Sequence, residues 1–117
     1  MTSPRHVLLV EDESAIADLV RTALEASGLR VTPCADVQSA LRELDRGAFD
    51  LAILDLTLPD GSPDPLARRL ADAGVPIIAI SGDPARLATF AYGQGLEKPF
   101  RIRALLDRIK DTLPASR

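Results

Sequence analysis

The sequence predicts a doubly wound α/β domain, a (βα)5 three-layer sandwich around a five-stranded parallel sheet, and three observations carry that reading. Short runs rich in Val, Ile and Leu alternate with longer segments of helical spacing, the pattern of a parallel sheet wrapped by helices. Two runs, Leu51-Ala52-Ile53-Leu54 and Pro76-Ile77-Ile78-Ala79-Ile80, are apolar throughout, as strands covered on both faces must be. The five units share no self-similarity, so one domain over 1–117 explains them better than a repeat array.

The first strand is Val7-Leu8-Leu9-Val10. After it, Ile16, Leu19, Val20, Ala23 and Leu24 follow helical spacing, with Ser14 as cap and Gly28 as stop. The second strand is Arg30-Val31-Thr32, and Val37, Ala40, Leu41 and Leu44 repeat the helical pattern before Gly47. Strand three, Leu51 to Leu54, is followed by the stripe Leu66, Ala67, Leu70 and Ala73, which stops at Gly74. Strand four, Pro76 to Ile80, leads into the weakest helix, for Pro84 to Ala91 permits about two turns at most. A short run, Gly95-Leu96-Glu97, completes the sheet, and Ile102, Leu105, Leu106 and Ile109 form a last stripe closed by Pro114.

A chain of 117 residues can bury one core without disulfides or structural metals. With three Phe, one Tyr and no Trp, that core must be aliphatic. The net charge of −3 and the absence of any dense Lys/Arg run argue against direct binding to nucleic acid. Cys34 has no partner for a disulfide, the apolar stretch after Met1-Thr2-Ser3-Pro4-Arg5 is too short for a signal peptide, and no window approaches a membrane span. The expected compartment is the cytoplasm, with no membrane partner.

In doubly wound sheets ligands bind beyond the carboxyl ends of the strands, where strand order reverses. Those ends carry Glu11-Asp12, Asp55, Ser81-Gly82 and Lys98-Pro99. In a flavodoxin-like order, 2-1-3-4-5, strands one and three are neighbours about 5 Å apart, so Asp12 and Asp55 face each other. Adding Glu11 gathers three carboxylates whose repulsion calls for a hard divalent cation, and Mg²⁺ suits a few oxygens plus waters. Lys98 leaves a strand roughly 10 Å from strand three, a gap its four-carbon stem can nearly span. Ser81 offers a hydroxyl, and Gly82 leaves room for a tetrahedral group. Singly, each has an ordinary explanation as cap, turn former or surface charge. Their convergence on one sheet edge suits phosphoryl transfer, where positioning and charge stabilisation dominate.

Together Val10-Glu11-Asp12-Glu13, Leu54-Asp55-Leu56-Thr57-Leu58-Pro59-Asp60-Gly61, Ser81-Gly82 and Lys98-Pro99-Phe100 resemble the CheY-like receiver domain of bacterial two-component response regulators, in order and interval over essentially the whole chain. The resemblance implies that Asp55 accepts a phosphoryl group from a sensor histidine kinase, a histidine phosphotransfer protein or acetyl phosphate. It further implies that Asp12, Asp55 and the Thr57 carbonyl hold Mg²⁺ with Glu11 acting through water or as a further carboxylate, that Ser81 and Lys98 grip phosphoryl oxygens, and that Lys98-Pro99 is cis. Output is expected through contact with an unidentified downstream protein.

Two departures stand out. Gly95 occupies the place where receivers commonly carry a Tyr or Phe, and the interval from Ser81 to Lys98 is short, so the output surface is remodelled. A subgroup of stand-alone receivers with a short fourth segment is the nearest likeness. Phe90 or Tyr92 could replace the aromatic, although packing over the sheet is the simpler reading. Thr57 and Asp83 sit where relatives tune phosphoryl lifetime, but Asp83 could equally cap the fourth helix. His6 is read as an edge residue and Cys34 as a small apolar one.

Three rivals remain. A haloacid-dehalogenase-like phosphatase would need a second Asp at position 57, which is Thr57. A receiver that is never phosphorylated would not require the full acceptor set. An amino-terminal receiver joined to an effector is the third, and the short tail after the last helix favours the stand-alone form.

Overall fold

The computed structural model describes residues 4–113. Strands and helices alternate as β1 (His6–Val10), α1 (Ser14–Ala26), β2 (Arg30–Cys34), α2 (Val37–Arg46), β3 (Leu51–Asp55), α3 (Asp64–Asp72), β4 (Ile77–Ser81), α4 (Pro84–Thr89), β5 (Gln94–Glu97) and α5 (Ile102–Thr112). The strands pair in parallel in the order β2-β1-β3-β4-β5. This is the predicted three-layer fold, and β1 and β3 are neighbours, with Val10 opposite Leu54.

Alternation along each strand divides the core in two. Leu8, Val10, Ala52, Leu54, Ile77 and Ala79 point to one face and pack with Val37, Ala40, Leu66 and Leu70 of α2 and α3. Val7, Leu9, Leu51, Ile53, Ile78 and Ile80 point to the other and pack with Val20 and Leu24 of α1 and Leu105 and Ile109 of α5. Each fully buried Leu or Ile contributes about 1.5–3 kcal/mol, so the aliphatic core anticipated from the missing Trp is sufficient.

Both α1 and α3 end in Schellman turns. Leu29 N–H bonds back to Leu24 and Gly28 N–H to Glu25; Val75 N–H bonds to Leu70 and Gly74 N–H to Ala71. Gly28 and Gly74 take φ of +88° and +75°, which a side chain would disfavour. These are the stops expected from the sequence; the closing role given to Pro114 lies outside the described residues.

Several details differ from the sequence reading. The cap of α1 is Glu13, not Ser14, because the Ala17 N–H bond to the Glu13 carbonyl closes the first turn one residue earlier. Leu19 is 59% exposed, since the buried face of α1 centres on Val20 and Leu24 and leaves Leu19 on its flank. Ala73 is an exposed residue at the end of α3 rather than part of its stripe. Strand β2 runs on through Pro33 to Cys34, which an edge strand allows because one row of its N–H groups is unpaired. Strand β4 begins at Ile77 and extends to Ser81, and β3 includes Asp55, so both polar side chains stand on strands rather than in loops. Helix α4 is six residues long and buries none of them.

Candidate functional site

Backbone hydrogen bonds beyond the strand ends fix the site. Glu11 N–H bonds to Cys34, Leu56 N–H to Ile80 and Lys98 N–H to Ser81, at 2.9, 3.0 and 2.8 Å. The exit of β1 is thus tied to that of β2, and the exits of β3 and β5 to that of β4, before any side chain is considered. Asp55 continues the Leu51–Ile53 alternation onto the α1/α5 face, and Lys98 continues it from Leu96.

Lys98 Nζ lies 2.7 Å from Glu11 Oε1, 3.1 Å from Asp55 Oδ2 and 3.3 Å from Glu13 Oε1. The lysine stem therefore spans the gap to β3. Asp55 Oδ1 accepts a 2.9 Å hydrogen bond from the Thr57 N–H, and Ser81 Oγ accepts one of 3.0 Å from the Asp83 N–H. Glu11, Asp55 and Ser81 are all buried, whereas Asp12 and Thr57 are exposed at the mouth. The Lys98-Pro99 bond is cis, as the resemblance implied.

The electrostatics are unbalanced. Burial, reinforced by the hydrogen bond with Asp55, pushes the Glu11 carboxyl up to about 7. Burial also works against the Lys98 charge, but its contacts with Glu11 and Asp55 prevail and hold its pKa above the usual lysine value. The Glu11–Lys98 contact lacks hydrogen-bond alignment, which leaves Glu11 Oε1 a buried acceptor without an aligned donor. Glu11, Asp12 and Asp55 can each bring one oxygen within 4.8 Å of the others. An all-oxygen set with a carboxylate excess and an unsatisfied buried acceptor fits a hard divalent cation.

Three contributors escaped the sequence reading. Glu13 was visible only as the third acid of a run, yet it reaches Lys98. Asp60 was noted only within a motif, yet its two oxygens accept the N–H groups of Val37 and Gln38 at 2.9 and 3.0 Å, so it caps α2 from the loop after β3. Arg86 drew no notice, yet it bonds to the Leu56 carbonyl at 3.2 Å. No local pattern signals either long-range bond.

Other expectations resolve simply. Phe90 and Tyr92 meet edge to face at 5.9 Å and pack on the α2/α3 side of the core. A side chain at position 95 would press on Leu87, since a Cβ there would lie 3.0 Å from Leu87 Cδ2, so Leu87 would have to give way to an aromatic. Asp83 caps α4 through Ala85 N–H. His6 packs at a tilt against Phe49, with ring centroids 4.4 Å apart, and lies 2.6 Å from the Thr32 hydroxyl, and Cys34 is buried.

The response regulator receiver domain model matches residues 7–110. The chain belongs to this family. This receiver domain is 40% identical over 114 residues to the KDP operon transcriptional regulatory protein KdpE of Escherichia coli, covering 92% of this chain and 51% of that protein. It is 35% identical over 116 residues to the sensory transduction protein RegX3 of Mycobacterium tuberculosis, covering 92% and 50%. The chain thus spans about half the length of these curated relatives. Among solved structures, a CheY-like receiver domain protein of Methanospirillum hungatei superposes with a TM-score of 0.85 at 28% identity, covering 93% of each chain. TrrA of Thermotoga maritima, solved in complex with Mg²⁺-BeF, shares the fold with a TM-score of 0.84 at 24% identity, covering 93% of this receiver domain and 99% of that chain. No helix among the described residues is long and apolar enough to cross a membrane.

Proposed function

We propose that this receiver domain accepts a phosphoryl group on Asp55 from a phosphohistidine of a sensor kinase or phosphotransfer protein. An Asp55 oxygen attacks phosphorus, the P–N bond breaks, its electron pair returns to the imidazole, and an acyl phosphate remains. The observation that carries this reading is Lys98 Nζ at 3.1 Å from Asp55 Oδ2, inside a pocket where carboxylates outnumber the cation. Lys98 orients the acceptor and meets the charge of the incoming phosphoryl oxygens, and the Ser81 hydroxyl donates to another. Asp12, Asp55, the Thr57 carbonyl and Glu11, directly or through water, would hold Mg²⁺, which would neutralise the acids and the phosphoryl charge. Asp83 and Thr57 at the mouth govern access of the water that later hydrolyses the acyl phosphate, an autophosphatase step. The lone Cys34 accords with a cytoplasmic setting.

Incubation with Mg²⁺ and acetyl phosphate, followed by intact-mass measurement, should add one phosphoryl group to the wild type and none to Asp55→Asn. A wild type that gains nothing from acetyl phosphate or a panel of histidine kinases would establish a receiver that works unphosphorylated. Turnover of a phosphate ester without an accumulating acyl phosphate would support the phosphatase alternative. For output we favour switched contact with another protein. A second reading, receiver of a longer transcriptional regulator, draws support from KdpE, of which this chain matches about half.

A further inference from the structure

Resting on that reading, we infer that Arg86 is a positioning residue for phosphoryl transfer and the link through which the acceptor site and α4 move together. Arg86 stands on α4, the shortest helix, which buries none of its residues. Its Nη1 donates to the carbonyl of Leu56 at 3.2 Å, and its Nε lies 3.6 Å from Asp83 Oδ2. Leu56 directly follows the acceptor, and Asp83 donates its N–H to the Ser81 hydroxyl while its carboxylate caps α4. One guanidinium therefore bridges the segments that leave β3 after Asp55 and β4 after Ser81.

The geometry constrains what a bound phosphoryl group can do. Ser81 Oγ can keep accepting from the Asp83 N–H while its O–H donates to a phosphoryl oxygen, so a hydroxyl drawn toward that oxygen pulls Asp83 with it. Any shift of Asp83 is felt at Arg86 through the ion pair and at the start of α4 through the cap. Arg86 passes it to Leu56 and hence to the backbone beside the acceptor. Arg86, Leu56, Asp64, Thr89 and Phe90 also line one cleft of about 380 Å³, so the same movement reshapes an accessible surface. Leu87 already occupies the space above Gly95, so the coupling runs through a charged contact rather than through a side chain at 95.

The test compares the wild type with Arg86→Gln and Arg86→Lys by amide hydrogen exchange, first without metal and then with Mg²⁺ and beryllofluoride, a phosphoryl mimic. Without metal, Arg86→Gln should speed exchange at the Thr57 and Asp83 amides roughly three- to tenfold, the scale of one ordinary hydrogen bond lost at a half-exposed site. The melting temperature should stay nearly unchanged because Arg86 is half exposed. With beryllofluoride, the wild type should change exchange across 85–89, Arg86→Gln should bind more weakly and lose that response, and Arg86→Lys should retain part of it, since ammonium keeps the charge but not the fork. Metal-free exchange and an α4 response identical to wild type in Arg86→Gln would overturn the inference. Failure of the wild type to bind beryllofluoride would sink the phosphoacceptor reading and this inference with it, while the metal-free comparison would still decide whether Arg86 ties the loops.

Discussion

The two ends of the sheet handle charge in opposite ways. At the amino end, Asp50 accepts the His6 N–H at 2.7 Å and lies 3.8 Å from Arg5, His6 meets Thr32 and packs at a tilt against Phe49, and the acid there faces donors. At the carboxyl end, Glu11, Glu13 and Asp55 share one ammonium, and Asp12 adds a fourth carboxylate beside Glu11 and Asp55. The amino end is arranged as stability alone would arrange it. The carboxyl end keeps buried acids under-compensated, which is costly for a resting fold and useful only if a cation and a phosphoryl group arrive.

The largest effect should follow from removing that ammonium. Lys98→Met leaves Glu11 and Asp55 buried without their partner, a loss of about 2–3 kcal/mol in metal-free protein at pH 8, discounted from a full broken pair because Glu11 can take up a proton. Urea denaturation should show the loss, and Mg²⁺ should restore more stability to this variant than to wild type. An equal loss on truncating Asp50 at the amino end would erase the distinction between the two ends.

The next effect is a pH dependence. Folding raises the Glu11 carboxyl from 4.5 to about 7, so between those values the native state holds a proton that the unfolded chain has released. Its stabilising contribution is complete below pH 4.5 and is lost as pH rises through about 7, up to about 3 kcal/mol in all. Metal-free wild type should therefore weaken over that interval, and Glu11→Gln should flatten the decline. Saturating Mg²⁺ should also flatten it, since the metal and the proton compete for the same cluster. A flat metal-free profile in wild type would show that Glu11 is already compensated.

Asp60→Ala should cost about 1–2 kcal/mol by removing both hydrogen bonds at the start of α2, and the loss should not vary with Mg²⁺. A loss that Mg²⁺ alters would show the cap to be part of the acid cluster's balance.

The contrast also explains what could be read in advance. Strand order and the apolar faces were legible because Leu51–Leu54 and Ile77–Ile80 leave no choice but burial on both sides. Glu11, Asp12, Asp55, Ser81 and Lys98 were legible as candidates because each follows an apolar run and parallel strands deliver such residues to one edge. Asp60 and Arg86 were not, because each bonds to backbone 22 to 30 residues away, and backbone partners leave no trace in side-chain pattern. The exposure of Leu19 escaped for a different reason: helical spacing fixes a stripe, but the crossing of α1 over the sheet decides which flank of it is covered.

The smallest effect tests the amino end on its own terms. Burial, and then the charge of Arg30, lower the pKa of His6 below its ordinary 6.5. The native state therefore holds fewer protons than the unfolded chain just below pH 6.5, and stability should rise with pH there, opposite in sign to Glu11. Wild type superimposes the two slopes. His6→Gln should leave the Glu11 decline steeper, and Glu11→Gln should uncover a shallow rise that levels off near pH 6.5. A decline that persists in Glu11→Gln would mean that some other acid carries the carboxyl-end imbalance, because the paired amino end can supply only the rise.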